Sequence, residues 1–332
     1  MNAAIVGLGW WGTHLCKVLS AKSTAIRVVR AVTPHPTPHG DLAAEIGFTL
    51  SSDLQDALDD DSVEGIIVTT PHGTHEENVL RAVAAGKQVF CEKPLALTTE
   101  SAKRMVEACA ARGLVLGVGH ERRWEPAMEE VAHLVRRGAL GTILHVEGQS
   151  SHNLFSALTA DNWRGSMADA PAAGWTAMGV HLSDLFIAML GPIVEVRALS
   201  AKRVLDLPSG DVVSAQLRFV DGTTGAISVV SATPFHGRLA VFGDKGWVEV
   251  QESAHVSTPG PTQLTLCDEA GKRTRTDYQP IDTVVMNLDA WAAAVAGKDF
   301  YRFTDQERIA NVAVLEALAK STVTGQAERV EA

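Results

Sequence analysis

Six residues near the start of the chain, Gly7-Leu8-Gly9-Trp10-Trp11-Gly12, have the spacing GxGxxG. They follow a short apolar run at residues 3–6 and open a segment, residues 11–20, that reads as a helix. Strand, glycine turn and helix in that order are the context in which this motif binds a dinucleotide. Gly7 permits the tight turn, Gly9 lets a pyrophosphate approach the backbone, and Gly12 lets helix and strand pack closely. The free N–H groups of the helix N-terminus then face the phosphates. Trp10 and Trp11 are unusual inside such a loop. One is expected to pack beneath it and the other to face the cofactor or a second domain. A glycine-rich turn without a ligand is the plainer alternative, and the strand series that follows favours the dinucleotide.

The second strand, residues 26–32, runs into Val32-Thr33-Pro34-His35-Pro36. Enzymes that bind NAD usually place an acid there for the ribose hydroxyls, yet no carboxylate occurs before Asp41. Thr33 could bond a hydroxyl or a phosphate oxygen, and His35 and His39 could favour a 2′-phosphate when protonated. The expected cofactor is NAD(P), with a lean to NADP. Pro34, Pro36 and Pro38 stiffening a surface loop is the alternative reading.

Two more clusters follow strand signals, where ligands of open α/β sheets bind. Thr70-Pro71-His72-Gly73-Thr74-His75 comes after the strand at residues 65–70, and Glu92-Lys93-Pro94 after the strand at 88–91. The Lys93 ammonium could bond a substrate hydroxyl or carbonyl oxygen and stabilise a developing alkoxide. A lysine locked before proline at such an edge is unlike a solvated surface lysine. Thr70, Pro71, His72, His75, Glu92 and Lys93 are the expected cofactor neighbours here. His72 and His75 could also cap the next helix; with no third ligand evident they make a poor metal pair, and no metal is expected. Farther on, His181 and Asp184 are three apart on a helical segment and share a face. Imidazole suits proton transfer near neutral pH; a core histidine paired with Asp184 is the structural alternative.

The elements around these residues indicate how they are positioned. Up to residue 120, near-continuous apolar strands alternate with helices, the signature of a parallel sheet covered on both faces. Thereafter longer strands alternate apolar with polar and are joined by hairpin turns such as Asp221-Gly222 and Asp244-Lys245-Gly246, which means an antiparallel sheet. The expected architecture is α/β: an N-terminal Rossmann dinucleotide-binding domain at residues 1–122, then an α+β domain with a largely antiparallel sheet at 123–332. A chain of 332 residues suits two domains. Its 29 basic against 39 acidic residues, a net charge of −10, argue against a nucleic-acid binder. No apolar run approaches the ~18 residues of a membrane span, and the start lacks the basic region of a signal peptide. Cys16, Cys91, Cys109 and Cys267 form no CxxC pair, so a reduced, cytoplasmic protein is expected.

On the glycine motif, Thr70–His75, Glu92-Lys93-Pro94 and Gly179-Val180-His181-Leu182-Ser183-Asp184, the sequence resembles the Gfo/Idh/MocA oxidoreductases over nearly its whole length. The resemblance implies the same two domains, with homodimers or homotetramers formed through the second-domain sheet. It implies an NAD(P)-dependent oxidoreductase that moves a hydride between nicotinamide C4 and a carbinol or carbonyl carbon of a sugar, polyol or related compound. Lys93 would polarise the oxygen and His181 would donate or accept the proton. Arg123, in Arg123-Trp124-Glu125-Pro126, and Trp163-Arg164 match segments near the family's substrate. Trp163 would wall the site, and Arg164 would bind a carboxylate or a sugar oxygen. Arg122 and Arg123 could instead pair with Glu121 or Glu125 as a solvated cluster. One departure stands out. The family often carries Asp one turn before the histidine, where this chain has Ala177. Either Lys93 and His181 suffice, or Thr176 or another group substitutes. That loss keeps two rivals open: a non-catalytic NAD(P)-sensing regulator, and a glycoside-cleaving enzyme that works by transient oxidation with NAD.

Overall fold

The computed structural model describes residues 1–159 and 161–332. Its first sheet comprises β1 (Asn2–Val6), β2 (Arg27–Val32), β3 (Thr49–Ser51), β4 (Gly65–Val68), β5 (Gln88–Cys91) and β6 (Leu116–Val118). The spatial order is β3-β2-β1-β4-β5-β6 and every pairing is parallel. The expected Rossmann sheet is therefore present. Its apolar runs have a simple cause: Gly65, Ile66, Ile67 and Val68 of β4 are all buried, as a strand covered on two faces requires. Strand order reverses between β1 and β4, so the turns leaving them, at Gly7 and Thr69, flank the topological switch point.

The helices are α1 (Trp10–Lys22), α2 (Gly40–Ile46), α3 (Gln55–Leu58), α4 (His75–Ala84), α5 (Thr99–Ala111), α6 (Pro126–Arg136), α7 (Gly179–Leu190), α8 (Thr283–Val295) and α9 (Asp305–Thr324). α2 stops at Gly47, whose φ is 86°. The capping box of α9 also forms. Glu307 accepts from the Thr304 backbone N–H at 2.8 Å, and its own N–H donates to Thr304 Oγ1 at 3.2 Å. Ser52 and Gln55 have the same spacing, but there Asp53 Oδ1 accepts the Gln55 N–H. The helix that carries His181 starts at Gly179, behind a 3-10 turn at Ala173–Thr176.

The second sheet contains β7 (Ile143–Ser151), β8 (Ile193–Ala201), β9 (Val212–Phe219), β10 (Thr224–Val230), β11 (His236–Gly243), β12 (Gly246–Glu252), β13 (Thr262–Asp268), β14 (Arg273–Tyr278) and β15 (Glu328–Arg329). The order is β14-β13-β12-β11-β7-β10-β9-β8-β15. All pairings are antiparallel except β10 with β7. α7 packs against this sheet where β7 carries Gly148. A Cβ there would come within 3.0 Å of Leu182 and 3.1 Å of Phe186.

The chain divides into two compact units. One holds Met1–Ala96, Glu100–Gly119 and Val284–Arg308; the other holds Leu97–Thr99, His120–Thr283 and Ile309–Ala332. A single cut along the sequence does not anticipate the return of Val284–Arg308 to the first unit. The reason is packing at the back of β6. Trp291 Nε1 donates to the Val115 carbonyl at 3.0 Å, Asn287 Nδ2 donates to that of Val118 at 2.8 Å, and the Trp291 indole lies 5.6 Å from the Phe90 ring. Gly117 leaves room for it, since a Cβ there would come within 2.9 Å of the indole.

Candidate active site

In the first unit the three motif glycines are needed for three different reasons. Gly7 has φ of +102°, and a Cβ on it would lie 2.9 Å from the Thr69 carbonyl carbon. A Cβ on Gly12 would run into the carbonyl oxygen of Gly7 and lie 2.8 Å from Thr69 Oγ1. That hydroxyl ties the turn down by donating to the Gly7 carbonyl at 2.6 Å. A Cβ on Gly9 would meet nothing within 4 Å. Gly9 is the extended N-cap of α1, with no side-chain cap over the helix N-terminus. The backbone there is open, as the approach of a pyrophosphate demands. Trp10 and Trp11 lie 5.4 Å apart, with His14 5.0 Å from Trp11. Trp10 is 56% exposed, whereas the indole nitrogen of Trp11 is buried and makes no hydrogen bond among the described residues. One tryptophan thus faces outward and the other inward.

The remaining first-unit candidates separate by exposure. Thr33 is buried and its N–H donates to the Ser51 carbonyl, while His35 is exposed. Thr70 Oγ1 accepts from the Thr74 hydroxyl at 2.8 Å and from Asn78 Nδ2 at 3.2 Å. Pro71 and His72 are half-buried. His75 is fully buried. Its Nδ1 lies 3.0 Å from the Pro94 carbonyl oxygen and its Nε2 3.0 Å from that of Thr70. It joins the loops after β4 and β5, and both ring nitrogens are used inside the fold and not turned to a ligand. Burial pushes its pKa below the ordinary imidazole value, against the opposing pull of these carbonyls. Glu92 is buried with its carboxylate against Gly119, where a Cβ would run into it. It also accepts the Lys93 N–H at 3.2 Å. Lys93 itself is half-buried.

In the second unit α7 is buried along most of its length, so its polar residues need partners. Asp184 does not serve His181. It accepts two hydrogen bonds from Arg123, Nε at 2.8 Å and Nη2 at 2.7 Å, with both residues buried. Arg123, expected at the substrate, thus has its Nε and Nη2 on Asp184. The carboxylate near His181 belongs to Glu121, with Oε2 3.7 Å from His181 Nδ1. Glu121 is 4% exposed and His181 8%. Arg122 pairs with Glu252 and lies 3.9 Å from Glu121. Burial lowers its pKa while the neighbouring Glu121 and Glu125 pull it up. Arg122, Arg123 and Glu121 are therefore not a solvated cluster. Sequence reading missed Glu121 as a partner of His181, and the only signal was its place beside two arginines. Thr176 is fully buried and its hydroxyl donates to the Pro171 carbonyl at 2.9 Å. The Arg164 guanidinium lies 4.2 Å over the Trp163 ring, and burial lowers its pKa.

Among the described residues no group of three or more His, Cys, Asp or Glu could hold a metal ion, and no helix is long and apolar enough to cross a membrane.

Comparison with known proteins agrees with this architecture. Inositol 2-dehydrogenase 2 of Saccharopolyspora erythraea is 28% identical over 100% of this chain and 96% of its own. The 1,5-anhydro-D-fructose reductase of Ensifer adhaerens is 26% identical over 86% of this chain and 85% of its own. A solved structure of levoglucosan dehydrogenase in complex with NADH superposes with a TM-score of 0.85 at 20% identity, covering 100% of this chain and 99% of that one; this likeness is one of fold. The family profile described as an oxidoreductase family with an NAD-binding Rossmann fold matches residues 1–120, and that of the GFO/IDH/MocA C-terminal domain matches residues 128–249. Glycine turn, strand order and both profiles converge: the chain belongs to the GFO/IDH/MocA oxidoreductases.

Proposed function

We propose that the protein is an NAD(P)-dependent dehydrogenase or reductase acting on a sugar, polyol or related hydroxylated compound. The observation that carries this reading is the open backbone at Gly9, on the N-terminus of α1 and beside the reversal of strand order. It fits a dinucleotide pyrophosphate, with Gly7 and Gly12 shaping the turn and His72 and Lys93 flanking the neighbouring strand ends. The first unit carries the cofactor groups together with Lys93, and the second carries Trp163, Arg164 and His181.

When bound, the nicotinamide supplies or accepts hydride at C4. Lys93 donates a hydrogen bond to the reacting oxygen and stabilises negative charge as it develops there. His181 takes the hydroxyl proton in oxidation and returns it in reduction. Trp163 and Arg164 bind the substrate's ring and oxygens. The substrate class is supported by the names of the inositol and anhydrofructose relatives.

The lean to NADP rests on the missing acid after β2 and on the exposed His35. Tighter binding of NADH than of NADPH would reverse it. We also propose a homodimer or homotetramer built on the second sheet, because β9 alternates buried with exposed residues and so leaves one face uncovered. A monomer in sedimentation would overturn this. Four free, buried cysteines suit a cytoplasmic setting.

Activity is tested by following NAD(P)H absorbance across a panel of polyols and sugar carbonyls, with Lys93→Ala as the control. Turnover lost in that variant, with cofactor affinity retained, supports the reading. Cofactor binding without turnover on any of the panel would favour the sensing regulator.

A further inference from the structure

The helix spacing offers Asp184 as the carboxylate of His181, but Asp184 is held by both Nε and Nη2 of Arg123. Charged groups reach the imidazole from its own helix and from the turn after β6. From α7 itself comes Asp184, paired with Arg123. From the 3-10 turn at Glu121–Trp124 come Glu121, with Oε2 3.7 Å from His181 Nδ1, and Arg122 behind it. Arg122 is shared with Glu252 of β12. Glu125, one residue past the turn, hydrogen-bonds the Thr262 hydroxyl. His120 is a further neighbour, its ring meeting that of His181 edge to face at 5.5 Å.

The state of His120 follows from Asn311. The Asn311 Nδ2 lies 3.0 Å from the Val180 carbonyl oxygen, which only accepts, so the Asn311 amide must donate on that side. The same Nδ2 lies 3.0 Å from His120 Nε2, and its second proton points there. His120 Nε2 therefore accepts and His120 is neutral, because a proton on Nε2 would face another N–H. His181, with Nδ1 3.7 Å from Glu121 Oε2, is the imidazole that can become an imidazolium against it.

We propose that Glu121 is the positioning residue of His181, supplying from the 3-10 turn the carboxylate that the chain lacks at Ala177. Glu121 Oε2 draws the ring proton to Nδ1 and leaves Nε2 to exchange a proton with the substrate hydroxyl. When Nε2 gains that proton, the carboxylate stabilises the resulting cation. No other bond is made or broken. The inference rests on His181 as the proton-transfer group, and its test separates the two claims.

The test uses the full-length protein with NAD(P)H bound, in which the His181 ring is titrated by 15N NMR and assigned by its loss in His181→Asn. In Glu121→Gln the titration midpoint is expected to fall by about one pH unit, since an opposite charge at this distance favours the charged form. Turnover is expected to fall about tenfold at a nearly constant KM. Glu121→Asp, which keeps the charge, is expected to hold the midpoint near that of the unmodified protein. An unmoved midpoint in Glu121→Gln overturns the inference. So does a Glu121→Asp midpoint that moves as far as that of Glu121→Gln, since packing and not charge would then be at work. Reduced activity of His181→Ala alongside an unmoved Glu121→Gln midpoint defeats the inference alone. Unchanged turnover in His181→Ala defeats the proton-transfer reading, and the inference with it.

Discussion

Arg123 and Asp184 bind each other through two near-parallel hydrogen bonds, 2.8 and 2.7 Å long, in a part of the second unit where both side chains are almost wholly removed from water. The pair joins the 3-10 turn bearing Glu121 to the helix bearing His181. Removing one partner leaves the other buried and uncompensated, at a cost of about 3–5 kcal/mol. Arg123→Met is therefore expected to lower the urea midpoint sharply, and Arg123→Met/Asp184→Leu is expected to recover much of the loss. If the double variant is as unstable as the sum of the singles, the pair is not acting as a unit.

How far this arrangement was legible follows from which interactions are local. The glycine turn could be read because Gly7, Gly9 and Gly12 act within six residues and one strand–helix junction. The parallel order of the first sheet followed from strands buried on both faces, such as β4. The partner of Asp184 lies 61 residues away and could not be read from helix periodicity, which suggested His181 only because it shares the face. The same limit concealed Trp291, whose indole docks on Val115 across 176 residues. Position after β4 makes His75 a candidate for the cofactor, yet position alone does not reveal that two carbonyls enclose it.

The glycines of the turn predict two different failures. Gly9→Ala places a methyl in open space, so the fold is expected to be unchanged while cofactor affinity falls at least about tenfold, because the methyl occupies the path of the pyrophosphate. Gly12→Ala drives a methyl into the Gly7 carbonyl and is expected to lower thermal stability as well. Calorimetric titration with NADH and NADPH, alongside melting curves, distinguishes the two. Equal cofactor affinity in Gly9→Ala and the unmodified protein would contradict the pyrophosphate path.

His75 predicts a dependence of stability on pH. Its folded-state pKa lies below the ordinary imidazole value, chiefly because it is buried. Above about pH 6.5 the ring is neutral in both states and contributes no pH dependence. As pH falls through the unfolded value, the unfolded chain takes up a proton that the folded chain refuses, and stability drops. The drop continues until the folded value is reached, at no more than about 1.4 kcal/mol per pH unit. His75→Gln is expected to reduce the loss of stability between pH 7 and pH 5.5 in urea unfolding. An equal loss in both proteins would mean that other groups carry it.

Arg164 predicts an opposition between stability and function. Its guanidinium stacks on Trp163, burial lowers its pKa, and no carboxylate lies within ion-pair distance of it among the described residues. A partly desolvated cation with no counter-charge is unfavourable for folding and favourable for binding an oxygen-rich or anionic ligand. Arg164→Leu keeps the apolar contact with Trp163 and removes the half-buried charge. It is expected to match or exceed the thermal stability of the unmodified protein while raising KM at least about tenfold. Arg164→Lys is expected to raise KM nearly as much, because an ammonium lacks the planar fork that bonds two oxygens at once. Steady-state kinetics on whichever polyol or sugar the panel identifies would decide it. An unchanged KM in Arg164→Leu, with stability also unchanged, would remove Arg164 from the substrate site and leave it a loop residue held by Trp163.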